Sequence, residues 1–132
     1  MSVYSDIHYD PSKKEFQALF PTMQCMKTII QRCRVDALWN LGDLINGHNT
    51  TKAEALVQIK VVAQAENQIM ANAHRIAGNH DDNVQSTYEA NTGYGSVEIL
   101  STAEMSATLE NSGSEFHNPL RSTDYYVDFP TI

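Results

Sequence analysis

Three short stretches concentrate side chains that can bind metals and move protons. Ser5-Asp6-Ile7-His8 stands near the start, Leu41-Gly42-Asp43-Leu44 follows, and Ala77-Gly78-Asn79-His80-Asp81-Asp82 completes the set. Carboxylate, imidazole and amide oxygen together suit hard to borderline divalent ions such as Mn, Fe or Zn. Asp6 and His8 are two apart, so a strand continued through them would send both side chains the same way. Gly42 precedes Asp43 and Gly78 precedes Asn79; lacking a Cβ, each lets the backbone turn sharply and bring the next side chain inward. Taken singly, each stretch has an ordinary reading: Asp6 and His8 as a turn pair, Asp43 as a cap, Asn79 and Asp81 as turn formers. Three of them in order are harder to set aside.

The elements that must position these residues follow from hydrophobic spacing. Val3-Tyr4-Ser5 is a β-like segment leading into Asp6, and residues 9–20 read as a loop or short helical turn. Pro21 suits the first turn of a helix. Met23, Met26, Ile29, Ile30 and Cys33 then recur at helical spacing up to about Arg34. Residues 35–41 form a mostly apolar run bounded by Gly42, the pattern of a covered parallel strand with Trp39 in the core. Thr51 and Glu54 are spaced as a capping box. They open a helix lined by Leu56, Ile59, Val62, Ala63, Ile69, Met70 and Ala73 and ending near residue 73. Residues 74–77 are a short strand stopped by Gly78. This β-α-β-α-β order predicts an α/β fold, a mostly parallel sheet with right-handed crossovers and flanking helices. The three polar stretches then fall at the carboxyl ends of three strands, where open α/β sheets build their sites. Beyond Asp82 the pattern weakens. Residues 83–100 are polar with scattered aromatics, Thr102 to Glu110 is a short helix capped by Ser101 or Thr102, residues 111–123 are loop, and residues 124–129 are a strand.

The ordered set Asp6-x-His8, Gly42-Asp43 and Gly78-Asn79-His80-Asp81 resembles the calcineurin-like metallophosphoesterase superfamily. That family's signature runs D-x-H, G-D and G-N-H-[D/E], then two later histidine-containing segments, the last often G-H-x-H. The resemblance is carried by residues 3 to about 82. It implies the first half of an α-β-β-α sandwich and two divalent metal ions (Mn, Fe or Zn). Asp6 and His8 would bind the first metal, Asp43 would bridge both, and Asn79 would bind the second. His80 would contact the substrate phosphate and protonate the leaving group, and Asp81 would hydrogen-bond His80 and set its orientation. The implied reaction is hydrolysis of a phosphomonoester or phosphodiester by a metal-bound hydroxide, both metals stabilising an in-line displacement.

The later histidine motifs are absent. After His80 the only histidine is His117, and the one Gly-His pair, Gly47-His48, lies in the loop after Asp43. The second metal site is therefore expected to be weak. The chain is read as a single, truncated metallophosphoesterase domain over residues 1–132, with a homodimer covering an exposed sheet face as the alternative. The rival function is a non-catalytic metallophosphoesterase-like binding or assembly module. Protein serine/threonine phosphatases fit less well, since they carry G-D-x-H-G and G-N-H-E where this chain has Ser5-Asp6-Ile7-His8-Tyr9 and Asp81.

Composition narrows the partners. The chain has 132 residues, 42% of them hydrophobic, a formal charge of -7 and a pI of about 5.0. An acidic chain does not bind nucleic acid through a general phosphate-neutralising surface, so the expected partner is a small phosphoester substrate. No apolar run approaches the roughly 18–20 residues that span a bilayer. The N-terminal MSVYSDIHYD lacks the basic and apolar regions of a signal peptide, and the expected location is the cytoplasm. Cys25 and Cys33 are read as buried reduced thiols, His48 as a solvated loop residue, Asp82 as a cap, and His74 and His117 as structural. Tyr88, Tyr94, Tyr125 and Tyr126 could line a cleft, although nothing in their spacing requires it.

Overall fold

A computed structural model describes residues 1–14, 19–48, 51–71, 73–83 and 98–109, and the backbone of residues 116–117 and 125–126. Three parallel strands, β1 (Ser2–Tyr4), β2 (Leu38–Asn40) and β3 (His74–Arg75), form a sheet in the order β1-β2-β3. Ser2 pairs with Leu38 and Tyr4 with Asn40; Trp39 pairs with His74 and Asn40 with Arg75. Pairing runs slightly beyond these spans, through Leu41 N to Tyr4 O (2.8 Å) and Ile76 N to Asn40 O (3.0 Å). Helix α1 (Leu19–Cys33) joins β1 to β2, and α2 (Lys52–Asn67) joins β2 to β3. A shorter α3 (Thr102–Thr108) packs against α2, and β4 (Phe116–His117) and β5 (Tyr125–Tyr126) form a separate antiparallel pair. The parallel α/β architecture is the one predicted. No helix among the described residues is long and apolar enough to cross a membrane.

The main core joins Leu19 and Met23 of α1 to Ala55, Ile59, Val62 and Ala65 of α2, and includes Leu44, Ile45, Leu100 and Leu109. Leu44 and Ile45 are fully buried. They belong to the loop after β2, so the segment carrying Asp43 is pinned by its own apolar side chains. Burying such a side chain is worth about 1.5–3 kcal/mol.

The Thr51–Glu54 capping box is present, and a second one, Ser101–Glu104, starts α3 and makes Ser101 its cap. Helix α2 ends at Asn67 rather than near residue 73. The amides of Ile69 and Met70 both turn back to Glu66 O, each at 2.9 Å. Ile69, Met70 and Ala73 still pack on the core; their apolar character reflects burial in a returning turn, not another helical turn. Helix α1 buries Leu19, Met23 and Ile30, whereas Cys25 and Cys33 lie off that stripe and are exposed free thiols, not buried ones. Trp39 is half-buried, its ring stacked on His74 with centroids 4.5 Å apart. Strand β4 falls where loop was expected, because a two-residue strand has no periodicity to read. Residues 84–97, which include Tyr88 and Tyr94, and the end of the predicted strand at 127–129 lie outside the described residues.

Behind the sheet, Arg75 and Glu66 form an ion pair with both side chains fully buried. Arg75 also donates to Leu109 O (2.9 Å), Ala63 O (2.8 Å) and Asn67 Oδ1 (2.6 Å). Glu66 accepts from the Tyr4 hydroxyl and from Asn40 Nδ2, the latter at 2.7 Å. Asn40 Oδ1 in turn accepts from Gly42 N at 3.0 Å. The network therefore ties β1, β2, β3, α2 and the end of α3 together, and reaches the loop that bears Asp43.

Candidate metal centre

The loops leaving β1 and β2 run side by side. Asp6 N donates to Gly42 O (3.1 Å), His8 N to Asp43 O (2.9 Å) and Tyr9 N to Leu44 O (2.9 Å). The strand does not continue through Asp6 and His8 as the spacing suggested. Both adopt left-handed backbone, with φ of 60° and 48°, and Asp43 does the same at 55°. Asp and His tolerate this region better than most residues, yet each such position costs about 1–3 kcal/mol and tends to occur at functional sites. The result is convergence by another route: His8 Nε2 lies 3.7 Å from Asp6 Oδ1 and 3.9 Å from Asp43 Oδ2.

The loop after β3 arrives on top of Gly42. A Cβ on Gly42 would sit 2.6 Å from Gly78 Cα, and one on Gly78 would sit 2.8 Å from Asp43 Cγ. Gly42, at φ 104°, supplies the turn, while Gly78 supplies the absence of a side chain. This close approach lets His80 N donate to Asp43 Oδ1 at 3.0 Å. The His80 ring meets the His8 ring edge-on, with centroids 4.5 Å apart.

His80 Nδ1 lies 2.8 Å from Asn46 O. A carbonyl only accepts, so Nδ1 carries the proton, leaving Nε2 as the nitrogen available to a ligand. The sequence suggested Asp81 for this orienting role. Asp81 is instead 1% exposed and accepts from Leu44 N (2.7 Å), Ile45 N (3.1 Å) and Gly78 N (2.8 Å). It clamps two loops together by their main chains. Burial pushes its carboxyl up to about 6, helped by the charge of Asp43 and opposed by those three backbone bonds.

The half-buried residues His8, Asp43 and His80 each offer a ligand atom within 4.8 Å of the others. Metal–ligand bonds of about 2.0–2.2 Å put atoms on one ion within about 4.4 Å of each other, a small side-chain rotation away. Two imidazoles and a carboxylate are also a donor set that divalent transition metals accept, so the residues fit such an ion. Asp6 stands at the rim, its side chain 64% exposed and bonded by the Ser5 hydroxyl. Asn79 is exposed in the turn at 79–82, outside the His8–Asp43–His80 group. Asp82 is half-buried, and its carbonyl receives Leu100 N at 2.8 Å.

Two contributors are not evident in the sequence. Asn46 acts on His80 through its carbonyl, which no residue type reveals. Asp10, 7% exposed, accepts from Ser12 N (2.9 Å), Ser12 Oγ (2.6 Å) and Asn46 Nδ2 (3.3 Å). Burial works to raise the Asp10 carboxyl, but the bonds from Ser12 and Asn46 and the charge of Lys13 hold it below the usual range. His48 is half-buried rather than solvated, its ring 6.4 Å from that of His80. His74 keeps a structural role: it is buried against Trp39, and burial, with the charge of Arg75, lowers its tendency to protonate.

The family model of calcineurin-like phosphoesterases matches residues 3–130. The chain belongs to that family. The match extends well past Asp82, where the motifs end. No curated protein and no solved structure is significantly similar to the chain. Membership in the calcineurin-like phosphoesterases assigns metal-dependent phosphoester chemistry in general terms, and His8, Asp43 and His80 are this member's candidate metal site.

Proposed function

We propose that the chain hydrolyses a small phosphomonoester or phosphodiester, with divalent metal held by His8 and Asp43. The observation that carries this is the meeting of three strand-end loops, which brings His8, Asp43 and His80 within 4.8 Å. A bound divalent ion would supply Lewis acidity, polarising the phosphoryl group and acidifying a water. The Asp43 carboxylate is already oriented to receive such an ion, with Oδ1 fixed by His80 N and Oδ2 facing His8. His80, turned by Asn46 O, can offer Nε2 to a phosphoryl oxygen or, when protonated, give its proton to the departing oxygen. Asp6 and Asn79, at the rim, would complete a second, weaker metal site.

Mn, Fe and Zn are the proposed ions. The test is hydrolysis of p-nitrophenyl phosphate and bis(p-nitrophenyl) phosphate with added Mn²⁺, alongside metal content after dialysis. Turnover that falls at least about 100-fold in Asp43→Asn, with bound metal lost, is the expected result; removal of catalytic electrostatic groups has effects of this order. The exposure of Asn79 favours one alternative, a metal-binding module without turnover. Retained metal with no hydrolysis of either ester by the folded wild type would select it.

A further inference from the structure

A cavity of about 540 Å³ opens beside the candidate metal site. It is lined by Asp10, Pro11 and Ser12 from the loop after β1, by His48, and by Ala53, Glu54, Val57 and Gln58 from the first turns of α2. Its size lies within the roughly 300–1,000 Å³ of small-molecule sites. None of His8, Asp43 and His80 lines it. His48 makes the link, since it is in the cavity wall and its ring is 6.4 Å from that of His80. Asn46 makes a second link, holding His80 Nδ1 by its carbonyl and Asp10 by its amide. His80 thus stands between the metal-binding cluster and the cavity.

This order has a chemical consequence. In hydrolysis the water oxygen forms the new P–O bond, and the ester P–O bond breaks with its electron pair staying on the leaving oxygen. That oxygen takes a proton from protonated His80, and the proton released by the water balances the step. The leaving group must then lie on the side of His80 away from His8 and Asp43, which is where the cavity is. Its wall offers apolar surface from Pro11, Ala53 and Val57, Val57 being 60% exposed, and the carboxylates of Asp10 and Glu54. Both carboxylates are negative at neutral pH, so the wall repels a second anionic group.

We propose that this cavity is the leaving-group subsite and takes an uncharged or cationic organic alcohol the size of an aromatic ring system, rejecting anionic leaving groups. The proposal rests on the phosphoesterase reading above for its link to turnover, but binding of the alcohol alone tests the cavity separately. The experiment compares wild type, Asp43→Asn and the double variant A53F/V57F, whose substituted positions are exposed on α2. Binding of 1-naphthol is followed by ligand-observed NMR. Release of phosphate from 1-naphthyl phosphate, ethyl phosphate and 4-carboxyphenyl phosphate is measured in parallel.

Wild type and Asp43→Asn are expected to bind naphthol alike, and A53F/V57F to bind at least about tenfold more weakly, the order that pocket-filling changes produce. In the active enzyme, kcat/KM for the naphthyl ester falls by a similar factor in A53F/V57F, while that for the ethyl ester stays within about twofold. The 4-carboxyphenyl ester is the poorest aromatic substrate and improves in E54Q, which keeps the capping-box geometry. No naphthol binding by wild type, or equal binding by A53F/V57F, overturns the proposal whether or not turnover is seen. Loss of turnover in Asp43→Asn without loss of naphthol binding supports both readings. A wild type that binds naphthol in the cavity but hydrolyses nothing removes the phosphoesterase reading and, with it, the leaving-group role.

Discussion

Replacing Arg75 by Met should be among the most damaging single changes in this chain. The guanidinium is fully buried and shares an ion pair with the equally buried Glu66. Breaking a buried pair by removing one partner costs about 3–5 kcal/mol, because the remaining charge is stranded. Leu109 O also loses its 2.9 Å donor, and an unsatisfied buried carbonyl adds about 1–3 kcal/mol. The total, about 4–8 kcal/mol, compares with about 5–15 kcal/mol for the stability of a whole domain. With a urea m-value of about 2 kcal/mol/M, the unfolding midpoint should fall by about 2 M or more. Urea titration followed by circular dichroism and Trp39 fluorescence measures this, since Trp39 stacks on His74 next to Arg75. The double variant R75M/E66L should recover part of the loss, because an apolar replacement of both charges removes the stranded one. Recovery stays incomplete, since the Tyr4 hydroxyl and Asn40 Nδ2 lose their acceptor. A midpoint shift below about 0.5 M in R75M, or no recovery in the double variant, would refute the reasoning, for it would mean that the pair bears little of the stability.

Further outcomes follow from the same geometry. Gly78→Ala places a methyl 2.8 Å from Asp43 Cγ; Mn²⁺ affinity measured by calorimetry should fall about tenfold or more, the order seen when groups supporting metal ligands are disturbed. The folded Asp10 carboxyl titrates below its ordinary value of 3.8. Its contribution is thus present above that value and lost as pH falls through the lower folded one. Asp10→Asn should therefore flatten the melting temperature below pH 4 relative to wild type. Glu104 is held at about 2 by Lys52, then by Ser101, so the tie between α2 and α3 weakens as pH falls from 4.5 toward 2; Glu104→Gln should abolish that dependence, read by thermal melts over this range. Chelation of bound metal with EDTA should lower the melting temperature, because a ligand that binds only the folded state stabilises it.

What could be read from the sequence was local or periodic. The Thr51–Glu54 capping box is a contact between near neighbours, and it is present as spaced. The β-α-β-α-β order rests on hydrophobic runs long enough to count, and the glycine-preceded polar stretches do lie after successive parallel strands. The misreadings share one cause, tertiary context. Ile69, Met70 and Ala73 imitate a helical stripe because a turn buries them. Cys33 keeps helical spacing with Met26 and Ile30 yet sits past the edge of the buried stripe. Asp81 follows His80 directly, which invites a partnership, but its side chain is drawn under three main-chain amides. Arg75 and Glu66 look like surface charges until the fold places them back to back behind the sheet.

The group that orients His80 is a main-chain carbonyl. No codon change at position 46 can delete it, since every amino acid carries the same oxygen. The bond is lost only by moving the loop, and that loop is anchored by buried Leu44 and Ile45 and by the grip of Asp81 on their amides. Random substitution at position 46 should accordingly be tolerated by the His80 tautomer, while substitutions at 44, 45 or 81 should disturb it. This inverts the usual picture of an orienting partner as a fragile side chain: here its mutational robustness lies in the backbone, and its vulnerability is displaced to hydrophobic positions that never touch the imidazole.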